Sequence, residues 1–151
     1  MKIHTSKTFK NTITIYNYCK NTKTLKEYYK RTVLEKCFYN NSLFKKTGVQ
    51  VKDNAQLFIL FNEKYISYKD WNLLDSEEIE DDWTIAIGSD RAPTYIVFSD
   101  CPFEFYWSDT TEMRLQIRAF EEAYIGKYKR AKDINEQFFG GKDMWHIEVN
   151  I

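Results

Sequence analysis

Residues 12–16 (TITIY) alternate β-branched and aromatic side chains with a period of two. Only a pleated strand puts every second side chain on one face, so this run predicts a half-buried strand. Residues 17–26 follow as a polar, turn-like stretch. Residues 28–39 (YYKRTVLEKCFY) alternate again. Tyr29, Arg31, Val33, Glu35, Cys37 and Tyr39 share one face, and Tyr28, Lys30, Thr32, Leu34, Lys36 and Phe38 the other. Neither face is cleanly apolar, which suits a long, bulged antiparallel strand whose polar positions reach solvent or a neighbouring subunit. Residues 56–61 (QLFILF) are a continuous apolar run, the pattern of a central strand buried on both faces. Residues 83–87 (WTIAI) and 95–98 (YIVF) read as two further strands around a turn at 89–93, and residues 103–107 extend the sheet.

One segment breaks the period. Met113, Ile117, Phe120 and Tyr124 recur at helical spacing, with Asp109 or Thr110 placed to cap the first turn and Gly126 to end the last. Such a stripe packs against a sheet more readily than it holds a cofactor. Residues 127–139 and 144–149 then pair across Gly140-Gly141 as a hairpin. The expected fold is mainly β (α+β), a small antiparallel barrel or sandwich with one covering helix. It occupies one domain over residues 1–151, with a long loop at 41–54 and an acidic loop at 75–82.

Catalytic chemistry finds no constellation. The chain has no P-loop, no GxSxG elbow and no HExxH helix. Its only histidines are His4 and His146, and the latter, between Trp145 and Ile147, reads as a hydrogen-bonded structural residue. Cys19, Cys37 and Cys101 are odd in number and lack a CxxC pair, so they read as buried, reduced thiols. No enzyme activity, cofactor or metal is expected. The acidic residues at 75–82 lack the alternating ligands and turn glycine of a Ca²⁺ loop. No apolar run approaches the roughly 18 residues of a membrane span. Residues 1–10 lack the apolar core of a signal peptide, so no export is expected.

The charge is balanced but segregated. Residues 1–50 carry 11 basic and 2 acidic side chains, residues 51–100 carry 4 and 11, and residues 101–151 carry 7 and 9. A basic surface of one copy can therefore meet an acidic surface of the next. Complementary charge of this kind fixes register and steers association, and heterologous contacts close into rings when the rotation allows. The acidic candidates for such a contact are Glu77, Glu78, Glu80, Asp81 and Asp82.

The ordered segments TITIYN (12–17), YYKRTVL (28–34), NAQLFILF (54–61), YISYKDW (65–71), WTIAIG (83–88) and FFGGKDMWHIEV (138–149) carry a resemblance over nearly the whole chain. The chain resembles a family of small head–tail connector proteins of tailed phages that infect Gram-positive bacteria. That family's Gly-Asp after the Trp strand is Gly88-Ser89-Asp90 here, its Gly-Ser turn is Gly140-Gly141, and its final Trp is Ile147 beside a kept His146. The resemblance implies a virion neck component of the stopper or head-completion kind, assembled in the host cytoplasm. It would be a β-barrel that forms a homo-oligomeric ring between the adaptor or portal side and the tail. The loop at 41–54, with Lys45, Lys46 and Lys52, matches the channel-facing position, where lysines meet packaged double-stranded DNA without reading its sequence. Alternatives are a tail-completion or adaptor protein of the same neck, or a host-directed phage protein acting as a monomeric binding module.

Overall fold

The computed structural model describes residues 10–40, 56–67 and 82–151. Along the chain run β1 (Asn11–Lys20), β2 (Glu27–Asn40), β3 (Gln56–Leu60), β4 (Tyr95–Val97), α1 (Thr110–Ala123), β5 (Tyr128–Arg130), β6 (Asp133–Gln137) and β7 (His146–Asn150). Antiparallel pairing joins the strands in the order β5-β4-β1-β2-β3-β7-β6. The architecture is mainly β with one helix among the described residues, as the periodicity predicts.

The expected antiparallel β architecture with one covering helix is present, but the sheet is not closed into a barrel. The described strands form one sheet, and its ladder is open, with β5 at one end and β6 at the other. Those two ends are nevertheless consecutive in sequence, separated only by Ala131 and Lys132. Consecutive Cα atoms lie about 3.8 Å apart, so Arg130 and Asp133 stand within about 11 Å of each other. The sheet therefore curls until its edges meet at one corner. Ala131 N–H donates to the Thr94 carbonyl on the β4 side (3.1 Å), while Lys132 N–H donates to the Asn150 carbonyl on the β7 side (2.7 Å). Within one residue the chain changes edges.

Curling gives the sheet an inner and an outer layer. Ile13, Ile15, Leu57, Ile59, Ile147 and Val149 pack inside. Tyr16, Tyr29, Tyr95, Phe105, Met113 and Phe120 pack outside, beneath α1. β1 is thus buried on both faces from Ile13 to Asn17, not on one. β3 shows the reverse correction: Leu57 and Ile59 are buried, whereas Phe58 and Leu60 are only half-buried. The β1–β2 register slips between Asn11↔Cys37 and Ile13↔Leu34, two residues against three, so β2 carries one extra residue. That bulge brings Leu34 and Cys37, from opposite faces of a regular strand, into the same inner core.

β1 also runs further than its polar residues suggest, through Asn17 to Lys20. The turn follows at Asn21, whose side-chain oxygen accepts from the N–H groups of Lys23 and Thr24. α1 is capped by Asp109, whose carboxylate accepts from Glu112 N–H (2.8 Å). Met113 and Phe120 are buried, as the stripe predicts, and so is Gln116, which bonds Tyr106 and Ser108. Residues 103–107 do not extend the sheet; Phe103 and Phe105 instead pack into the outer aromatic layer. β6 and β7 pair across Gly140-Gly141 as predicted, with Gly140 at φ +76 and a 3-10 turn over Lys142–Met144, but residues 128–130 of the expected 127–139 strand pair with β4 instead.

Candidate functional site

Where the two edges part, a cleft of about 810 Å³ opens between β6 and the segment 85–94. Its walls include Ile85, Ile87, Gly88, Thr94, Ile134 and Glu136. Residues 83–87, expected as a strand, instead run outside the named strands, buried from Trp83 to Ala86 and exposed at Ile87, with an isolated parallel bridge from Trp83 to Tyr65 and a hydrogen bond from Thr94 N–H to the Ile87 carbonyl. A side chain replaces the missing ladder: the Asn17 amide donates to the Thr84 carbonyl (2.6 Å) and its oxygen accepts from Ala86 N–H (3.2 Å). Thr84 and Ala86 thus turn their backbone groups toward β1.

The other wall is a sheet edge. Phe61 N–H donates to the Trp145 carbonyl, and the Asn150 carbonyl accepts from Lys132. Odd residues of β7 therefore face β3 and even residues face β6, by the alternation of an antiparallel ladder. Asn135 lies opposite Glu148 and bonds inward, so Ile134 and Glu136 direct their N–H and C=O groups outward. The Ile134 N–H donates to the neighbouring Asp133 carboxylate (3.0 Å). Tyr65 O–H donates to the Glu136 carboxylate and ties this edge to the Trp83 side of the cleft.

Two features fix the cleft's rim. Gly88 adopts φ +76, and a Cβ there would stand 2.6 Å from the Ala92 carbonyl oxygen, so the Gly88↔Pro93 bridge requires glycine. Tyr18, also on the lining, keeps its proton: burial first, and then its hydrogen bond to Glu27, raise its pKa. The site is a slot with largely apolar walls, bounded on the β6 side by the edge of the sheet.

The sequence model of one protein family, a family of unknown function (DUF6751), matches residues 8–150. The chain belongs to the DUF6751 family. No curated protein and no solved structure matches it.

In this DUF6751 chain, the slot is built from none of the residues that sequence reasoning singles out. Lys45, Lys46 and Lys52 lie outside the described residues, although Asn40 and Gln56, which bracket their segment, pair directly. Glu77, Glu78, Glu80 and Asp81 also lie outside them. Asp82 is described and half-buried, next to Trp83, whose indole N–H donates to Asn62. His146 makes hydrogen bonds at both ring nitrogens, to the Met144 carbonyl and to Glu148, far from a nucleophile's role. Cys19, Cys37 and Cys101 are buried free thiols, and burial pushes the Cys37 thiol up to about 12. Sequence reasoning misses Asn17, Ile85 and Glu136. The one available signal was an asparagine closing the apolar run TITIY.

A second groove of about 860 Å³ follows the β2 bulge, between Glu35, Lys36, Lys142, Asp143 and Trp145. Its charges alternate in sign, and Lys142 already lies over the Trp145 ring, 5.9 Å from the centroid. Among the described residues, no cluster of three or more His, Cys, Asp or Glu could hold a metal ion. No described helix is long and apolar enough to cross a membrane.

Proposed function

We propose that the chain is a non-enzymatic structural subunit of the neck of a tailed phage infecting Gram-positive bacteria. It forms a homo-oligomeric ring that joins the DNA-filled head to the tail and helps retain DNA, as a stopper or head-completion protein. The ordered motifs from TITIYN to FFGGKDMWHIEV support this placement. The observation that carries the reading is the unfinished edge of the sheet: Ile134 and Glu136 present backbone groups that another chain can satisfy. The segregation of charge along the chain favours head-to-tail contacts between copies over a symmetric dimer. On this reading Lys45, Lys46 and Lys52 face the DNA channel, and the acidic run from Glu77 through Glu78, Glu80 and Asp81 to Asp82 meets a basic neighbour.

Electron microscopy of purified particles tests it. Ring density between portal and tail that fits the curled sheet and α1 is the expected result. Particles that lack the chain overturn the neck role and leave a host-directed binding module as the better reading.

A further inference from the structure

We propose that the cleft between β6 and residues 85–88 is an acceptor slot for an extended strand donated by a second copy of the chain, and that the donor is the lysine-bearing segment 2–10. The inference deepens the ring reading above and rests on it for the presence of a neighbouring copy.

The β6 side of the slot is a strand edge. By the alternation of the ladder Ile134 and Glu136 turn backbone groups outward from β6, the Ile134 N–H also meeting the Asp133 carboxylate. Main-chain pairing of this kind supplies affinity, and pockets for alternate side chains supply register. The walls offer Ile87 and Ile134 to the apolar side of an inserted strand, with Ile87 49% exposed and Ile85 buried behind them. A volume of about 810 Å³ lies within the roughly 300–1,000 Å³ of ordinary ligand clefts.

Charge selects the occupant. The rim strand carries Asp133 and Glu136. Two copies of β6 paired edge to edge would set these carboxylates against one another, which is destabilising across a ladder. Residues 2–10 (KIHTSKTFK) carry Lys2, Lys7 and Lys10 and no carboxylate, and they alternate Ile3, Thr5, Lys7 and Phe9 on one face of an extended chain. A strand donated this way joins one copy's basic segment to the next copy's acidic edge, a heterologous contact that propagates around a ring.

Amide hydrogen exchange on the full-length chain, dilute and concentrated, reads the slot directly. The Glu136 amide should exchange at least about tenfold more slowly in the concentrated sample, because its outward N–H becomes bonded. A full-length variant with Lys2→Glu, Lys7→Glu and Lys10→Glu should lose that protection, while amides within α1 keep theirs and report an intact fold. Glu136 exchange that is independent of concentration and of the variant overturns the slot. Protection that persists in the variant overturns the donor. Protection that is present at every concentration and lost in the variant means each chain fills its own slot, which overturns the second copy. Ring density in particles with an unprotected Glu136 leaves the neck standing without the slot. Protection without ring density leaves the slot standing without the neck.

Discussion

The inner and outer layers of the sheet solve the same burial problem with different side chains. Inside, Ile13, Ile15, Leu57, Ile59, Ile147 and Val149 fill the curl with aliphatic atoms, and the polar ring atoms of Tyr65 and Trp83 beside them are paired with Glu136 and Asn62. Outside, Tyr16, Tyr29, Tyr95, Phe103, Phe105 and Phe120 form a network of ring contacts of 4.8–5.7 Å. Large rings span the gap between a curved sheet and a single helix, which short aliphatic chains would leave open. Their hydroxyls then have to be satisfied at the margin. Tyr16 O–H reaches the Phe103 carbonyl (2.7 Å), whereas the buried Tyr29 hydroxyl has no partner among the described residues. The inner layer pairs its polar ring atoms, and the outer layer leaves the Tyr29 and Tyr95 hydroxyls without a partner among the described residues.

The largest way to break the contrast is alkali. Burial raises the Cys37 thiol from 9.0 to about 12, and burial raises Tyr16, Tyr29, Tyr65 and Tyr95 above the ordinary 10.0. Each group keeps its proton in the folded chain after the unfolded chain has released it, so stability is intact below pH 9 and falls as pH rises. The loss begins with Cys37 between pH 9 and about 12 and steepens above pH 10 as the tyrosines join it. A group whose folded-state pKa rises by one contributes about 1.4 kcal/mol, so several groups together rival the roughly 5–15 kcal/mol of a typical domain. Tyrosinate absorbance should therefore rise in one cooperative step with the loss of the far-ultraviolet β signal. Separate, gradual tyrosine titration near pH 10 with the β signal intact would show that the outer layer is open to water.

Truncation distinguishes the layers next. Phe120 touches Tyr16, Tyr95, Phe103, Phe105, Tyr124 and Tyr128, so Phe120→Ala should cost about 3–5 kcal/mol in denaturant titration. The inner Ile15→Val removes one methylene and should cost about 0.5–1.5 kcal/mol. Asn17→Ala lies between them: it strands the Thr84 carbonyl and the Ala86 N–H, at about 1–3 kcal/mol, and should speed amide exchange at Ala86. Paired hydroxyl deletions contrast a bonded with an unbonded phenol. Tyr16→Phe should cost about 0.5–1.5 kcal/mol, while Tyr29→Phe, which removes a buried group with no partner, should be neutral or stabilising. Equal costs for the two would mean that Tyr29 has a partner in solution.

Local periodicity made the strands legible, and the polar phase of residues 28–39 announced the bulge in β2. Which faces were covered did not follow from any single strand. β1 looks half-buried by its own pattern, yet it lies mid-sheet between the inner core and the α1 layer, so both its faces are sealed. β3 looks doubly buried but leaves Phe58 and Leu60 half-buried. Residues 103–107 carry a strand-like composition because an aromatic covering layer and a strand want the same side chains. The edge change at Ala131 and Lys132 has no local signature; it depends on β4 and β7, distant in sequence on either side, each claiming a different stretch of one chain. The cleft follows from that edge change, so neither Ile85 nor Glu136 was legible as a site residue.

The central claim is that the open edge of this sheet is completed by another copy of the same chain. Sedimentation velocity of the full-length chain across protein concentration, at low and at high salt, tests it most directly. Assembly predicts species larger than the monomer that grow with concentration and shrink as salt screens the contact between basic and acidic surfaces. A monomer at every concentration in low salt would contradict it.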